Sequence, residues 1–177
     1  MKRLPLYILI AIGLALLQSS FFAALPYLKF INFIILFLIY LTIKDASRAL
    51  PFAIISGYIL DIYSSYPFGT HILSLMFVSF LAYYVYNRIL TNHRFFPIIL
   101  LVALCIAAYQ FAALNTIFVL SFLKLYEKTS IWTGAAIKNI GLEILYTVIM
   151  VSISYIIFYA AKKKLSVYLL APKSYGK

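Results

Sequence analysis

Acidic residues are scarce in this chain, with four Asp and Glu among 177 residues against fifteen Lys and Arg. So few carboxylates exclude paired-acid catalysis, and no Ser/His/Asp arrangement, phosphate-binding glycine loop or histidine cluster takes its place. The single cysteine, Cys105, excludes an intramolecular disulfide and a thiolate metal cluster. Set in the apolar run Pro97 to Leu123, it reads as a small buried hydrophobe. His71 and His93 belong to opposite ends of one apolar segment, so they cannot share a site within one molecule. The chain therefore reads as no enzyme, with neither a metal nor a cofactor.

What is abundant is apolar. The chain is 66% hydrophobic and 11% charged with mean hydropathy +1.04, whereas soluble domains carry about 25% charged residues. This is the composition of an all-α polytopic membrane protein, with no room for a separate soluble catalytic domain. Six apolar segments can be drawn: Leu4 to Leu25, Leu28 to Ile43, Ala49 to Leu60, Thr70 to Tyr86, Pro97 to Leu123 and Ile137 to Ala161. At 1.5 Å per residue the second covers about 24 Å and the third about 18 Å, short of the roughly 30 Å hydrocarbon core. The expected fold is a compact bundle of six transmembrane helices, or five plus a re-entrant hairpin whose tip is buried in protein. One membrane domain over 1–161 and a short basic tail over 162–177 complete the layout. The first segment carries no small-residue cleavage site and reads as an uncleaved span.

Basic residues set the orientation, because cytoplasmic loops are enriched in Lys and Arg. With a cytoplasmic N-terminus and six crossings, only Lys29, Lys124, Lys128 and Lys138 face outward; the other eleven of the fifteen face inward. Both termini are thus expected to be cytoplasmic. Tyr126 and Trp132 fit an outer aromatic belt, and Lys162, Lys163 and Lys164 anchor the last helix and attract anionic lipid headgroups. The net charge of +11 is dispersed among short loops, not gathered in a stripe with interleaved aromatics, so nucleic acid is not an expected partner.

Asp61 ends one apolar run shortly before the next begins, in Gly57-Tyr-Ile-Leu-Asp61-Ile-Tyr-Ser-Ser-Tyr-Pro67-Phe-Gly69. An acid at that depth is costly unless paired, hydrogen-bonded or wetted. The structural reading is that it accepts hydrogen bonds from backbone amides or hydroxyls of the following turn, with Ser64 and Ser65 in reach; a relay or a partner contact is the functional one. His71, just after the turn, is a helix-start cap or a group that titrates near neutrality. Glu143 is expected to be partly satisfied by Lys138 or Asn139. Gln18 and Asn32 are read as interhelical hydrogen-bond formers. Ala11 and Ala15, Ala53 and Gly57, and Ala103, Ala107 and Ala108 have the small-residue spacing that lets helices approach closely.

Leu14-Ala-Leu-Leu-Gln18, Asn32-Phe-Ile-Ile-Leu-Phe-Leu-Ile-Tyr40, Gly57-x3-Asp61-x7-Gly69 followed by His71-Ile-Leu, and the fourth segment through Ala82-Tyr83 together carry a resemblance to the rod shape-determining protein MreD family. It implies a non-enzymatic multi-pass subunit in the inner membrane of a bacterial cell. Such a subunit serves the cell-elongation machinery that directs peptidoglycan synthesis and rod shape. The implied partners are MreC, the actin-like MreB, the glycosyltransferase RodA and a class B penicillin-binding protein. On that reading Gln18, Asn32, Gly57, Asp61, Gly69 and His71 have structural or partner-binding roles. The alternative is the substrate-binding S component of an energy-coupling-factor vitamin transporter, which Ala11-x3-Ala15 resembles; its polar site would draw on Asp61, His71, Asn115 and Glu143. A small ion channel would need a row of pore-lining polar residues, which the sequence does not offer.

Overall fold

The computed structural model describes residues 4–22, 24, 25, 28–88, 95–124 and 134–170. Among these residues all regular structure is helical. Helix α1 (Leu4–Leu16) passes into a π-helical turn at Leu17–Phe22, and a 3-10 turn at Leu28–Phe30 precedes α2 (Phe33–Lys44). Then follow α3 (Ala46–Tyr63), α4 (Thr70–Arg88), α5 (Phe95–Phe122) and α6 (Gly134–Leu170).

Helix α2 lies at the centre, in contact with α1, α3, α4 and α5. At 12 residues it is only about 18 Å long, and the burial of Ile34, Ile35, Leu38, Ile39, Leu41 and Thr42 places neighbours around much of it. The segment read as Leu28 to Ile43 is therefore broken: its first residues form the 3-10 turn, and Asn32 caps the helix proper. Asp45 alone joins α2 to α3. Its backbone N–H donates to the Leu41 carbonyl at 2.7 Å, and its carboxylate receives the Ser47 hydroxyl at 2.6 Å and pairs with Arg48 at 2.5 Å. The Arg48 guanidinium also lies 4.8 Å from the centre of the Tyr7 ring, which ties α3 to α1.

Helix α3 is longer than its apolar run suggested, with 18 residues against the twelve of Ala49 to Leu60. Its polar ends remain helical although hydropathy excludes them, so it covers about 27 Å. It tolerates Pro51 near its start, where only one turn of carbonyls precedes the missing N–H. Antiparallel α3 and α4 approach closely through Ala53, buried at 0% exposure, and Gly57. A Cβ built on Gly57 would stand 2.7 Å from the Cα of Ile72, so no larger residue fits without parting the two helices. The remaining core joins Ala11 and Ala15 of α1, Phe52 of α3, Leu75, Val78 and Ala82 of α4, and Leu101, Val102, Cys105 and Ile106 of α5. Cys105 is buried, as read. Of the small residues in the fifth segment, Ala103, Ala107 and Ala108 are only partly buried.

Two helical stretches, Pro97–Phe122 and Ile137–Ser154, are long and apolar enough to cross a membrane. Shorter apolar helices lie at Tyr7–Phe22 and Phe33–Lys44. Helix α6 continues through Lys162, Lys163 and Lys164 to Leu170. The change of composition at 161/162 is thus no structural break, because lysine is a good helix former. Tyr126, Trp132 and His93 lie outside the described residues.

Candidate functional site

Two groups of polar side chains link the helices of the interior. The first is built on Asp61, in the last turn of α3 and 5% exposed. Its carboxylate accepts three backbone N–H groups: Gly69 at 3.0 Å, His71 at 2.8 Å and Ile72 at 3.2 Å. The first amides of α4 have no partner within their own helix, so a carboxylate from the preceding helix takes their place, at the end of α4 where the peptide dipoles favour negative charge. The turn between is closed by Thr70, whose N–H and hydroxyl both donate to the Pro67 carbonyl, at 3.2 and 2.7 Å. Gly69 has φ +95°, a backbone region that L residues with side chains rarely occupy. Asp61 accepts amides of the following turn, as read, but Ser64 and Ser65 are not its donors. Ser64 instead donates its hydroxyl to the Asp61 carbonyl at 3.5 Å and accepts the Tyr66 N–H at 3.4 Å.

His71 has two roles. Its backbone N–H is one of the three amides held by Asp61, so at this helix start it is the residue being capped. Its Nδ1 lies 2.6 Å from the Tyr109 hydroxyl of α5, with the two rings nearly parallel, and Tyr66 packs edge-on against it. One aspartate and one histidine thus bind α3, α4 and α5 together.

The second group surrounds the start of α2. The Gln18 side chain brackets the Asn32 backbone: its Nε2 donates to the Ile31 carbonyl at 2.9 Å, and its Oε1 accepts the Phe33 N–H at 3.2 Å. Asn32 caps its own helix, accepting the Ile35 N–H at 3.2 Å. Its Nδ2 donates to Glu143 at 3.1 Å, and its N–H donates to the Thr147 hydroxyl at 3.4 Å; that hydroxyl in turn donates to the Phe30 carbonyl at 3.3 Å. Gln110 of α5 donates to the other oxygen of Glu143. Glu143 is thus satisfied across the bundle, by Asn32 and Gln110. Lys138 and Asn139, expected as its partners, are exposed; Lys138, five positions away, faces another side of α6, and Asn139, one turn earlier on the same side, lies where that face has already left the bundle.

The site residues read from the sequence divide in the same way: Gly57, Asp61, Gly69 and His71 form the α3–α4 hairpin, and Gln18 and Asn32 form the α2 cap. Sequence reading missed Tyr109, Gln110 and Thr147. Thr147 lies one turn beyond Glu143 on the same helix face, and Gln110 is an amide in a long apolar run, so both carried a signal. Asn115, the remaining candidate for a vitamin site, is half-buried and donates to the Phe111 carbonyl of its own helix at 2.7 Å.

Among the described residues, no buried side-chain nitrogen or oxygen lacks a hydrogen-bond partner, and no three His, Cys, Asp or Glu converge to hold a metal. Neither the groove between α3 and α4 nor the small cleft between α1 and α3 is lined by Asp61, His71, Asn32 or Glu143. The two polar groups can therefore fix helices against one another, and their hydrogen-bonding capacity is directed inward. Comparison with protein-family models, with curated proteins and with solved structures gave no match.

Proposed function

We propose that this chain is a membrane-embedded helical scaffold, a six-helix bundle with both termini cytoplasmic that works by holding other membrane proteins and catalyses nothing. More particularly, it is an MreD-like subunit of the bacterial cell-elongation machinery. It resides in the inner membrane and docks MreC and the synthase formed by RodA and a class B penicillin-binding protein, with MreB on the cytoplasmic side. The observation that carries this reading is the use of Asp61: its carboxylate is engaged by the amides of Gly69, His71 and Ile72. A residue so engaged shapes a surface and is not free to bind a substrate. The choice of scaffold over vitamin capture rests on the same kind of observation, since Asp61, His71, Glu143 and Asn115 all bond to groups of the chain itself.

The membrane setting is supported by the two spanning-length helices and by large apolar side chains standing outward around the bundle, among them Leu9, Phe77, Phe80, Leu100, Phe111 and Leu145. Such a surface would aggregate in water and suits lipid. Lys44, Arg48 and Arg88 gather at the bundle end opposite the Asp61 hairpin, as an inward basic face requires.

The test is an affinity pull-down of the tagged protein in mild detergent with mass spectrometry of what co-purifies. Recovery of MreC or RodA is expected. Recovery of a transporter coupling subunit with paired ATPases would replace the scaffold with substrate capture.

A further inference from the structure

Two of the chain's four acidic residues are engaged as carboxylates. Asp45 pairs with Arg48, and Asp61 accepts three backbone amides at the start of a helix. Glu127 lies outside the described residues. Glu143 differs from the first two. Among the described residues no ion pair reaches it, and its partners are two side-chain amides, Asn32 Nδ2 at 3.1 Å and the amide of Gln110. Lys138 is exposed on its own helix, and Lys44 stands at the far end of α2, about 18 Å along the helix from Asn32. From α5 the ionisable group that acts on it is Tyr109, which is bonded to His71.

Two helices fix the depth of this carboxyl independently. Gln110 is the fourteenth of the 26 residues Pro97–Phe122, and Glu143 is the seventh of the 18 residues Ile137–Ser154. However α5 is set in a hydrocarbon core of about 30 Å, which takes about twenty residues, Gln110 stays about 9 Å or more inside either edge. Counted along α6, Glu143 stands about 9 Å inside the nearer end of its stretch. A carboxylate at that depth without a cation is costly, and two amides do not replace the water it loses. The two amides are also not equivalent. Asn32 is fixed, because its Oδ1 accepts the Ile35 N–H and its Nδ2 must then face Glu143. Gln110 has no second partner among the described residues to orient it, so a half-turn of its amide exchanges Nε2 and Oε1. One orientation donates to a carboxylate and the other accepts from a carboxylic acid, so the joint between α5 and α6 is kept in either state.

We propose that Glu143 is a proton-binding site within the bundle. It carries a proton on Oε2 and donates it to Gln110 Oε1, while its Oε1 accepts Asn32 Nδ2. Gln110 is the positioning residue, whose amide turns as the proton comes and goes. The proposal rests on the membrane reading above and not on the identity of any partner.

Infrared difference spectroscopy tests it. The full chain is reconstituted in lipid vesicles at neutral pH, washed with carbonate to show that it is membrane-integral, and compared with Glu143→Gln. Expected in wild type minus variant is the C=O stretch of an un-ionised carboxyl, without a carboxylate band. In heavy water it should move to lower frequency as O–H becomes O–D, unlike the ester carbonyls of the lipid. Gln110→Ala should shift it to higher frequency, because the O–H loses its acceptor. A difference spectrum that holds only carboxylate bands overturns the proposal, whether the charge is bare or holds a sodium ion. A carboxyl band that Gln110→Ala leaves unmoved overturns the part assigned to Gln110. Carboxylate bands from a chain that resists the wash leave the membrane reading standing, whereas a chain released by the wash removes that reading and the proposal together.

Discussion

Asp61 holds three amides at the start of α4 that have no partner within that helix. Each buried N–H left without an acceptor costs about 1–3 kcal/mol, so Asp61→Ala should remove several kcal/mol and most of the marginal stability of the bundle. Asp61→Asn keeps one acceptor oxygen and should fall between. Thermal unfolding in detergent should rank wild type above Asn and Asn above Ala; equal melting temperatures would mean that the carboxylate is not the staple. The two glycines act by different physics. Gly57→Ala puts a methyl against the Ile72 backbone and should cost about 1–3 kcal/mol by overpacking. Gly69 has open space around it, so Gly69→Ala is strained only by its φ of +95°, at roughly 1–2 kcal/mol, and Gly69→Asn should be milder. At this scale the sequence was informative, because an acid between two glycines at a break in hydropathy is visible in one line. Which amides it would hold was not, since that depends on how the turn at Pro67 brings α4 back over the end of α3.

Helix α2 starts inside the bundle, and this is where sequence and structure part. Hydropathy reads Leu28 to Ile43 as one short span, yet the chain breaks it because Gln18, Asn32 and Thr147 together satisfy the backbone at the break. Gln18 and Asn32 were legible as polar groups at membrane depth. Their clamp was not, because it joins residues 13 to 117 positions apart. Gln18→Leu leaves the Ile31 carbonyl and the Phe33 amide without partners and should cost about 2–6 kcal/mol. Glu143→Gln should cost much less than Glu143→Leu, because the Gln110 amide can turn to present its oxygen to the new side chain. Unfolding midpoints of the three variants check the order, and an unaffected Gln18→Leu protein would show that the break is held by other groups.

Among the described residues, every sealed polar side-chain atom has a hydrogen-bond partner while many large apolar side chains stand outward around an apolar core, the pattern that supports the membrane reading proposed above. The all-α character followed from composition alone, whereas the central place of the shortest helix needed the packing. The proposed orientation, with both termini cytoplasmic, rests on the basic residues. The buried Cys105 gives a low background for thiol labelling, so a cysteine at Ser65, beside the hairpin, should react with an impermeant reagent from outside, and one at Ser47 only after the membrane is opened. The reverse pattern would invert the topology. The central claim is that the Asp61 hairpin shapes a surface that holds a partner, and co-purification of MreC with wild type, Gly57→Ala, Asp61→Asn and Gly69→Val in mild detergent tests it most directly. Capture should fall in the variants while some folded monodisperse protein remains; full capture by Gly69→Val would contradict the claim.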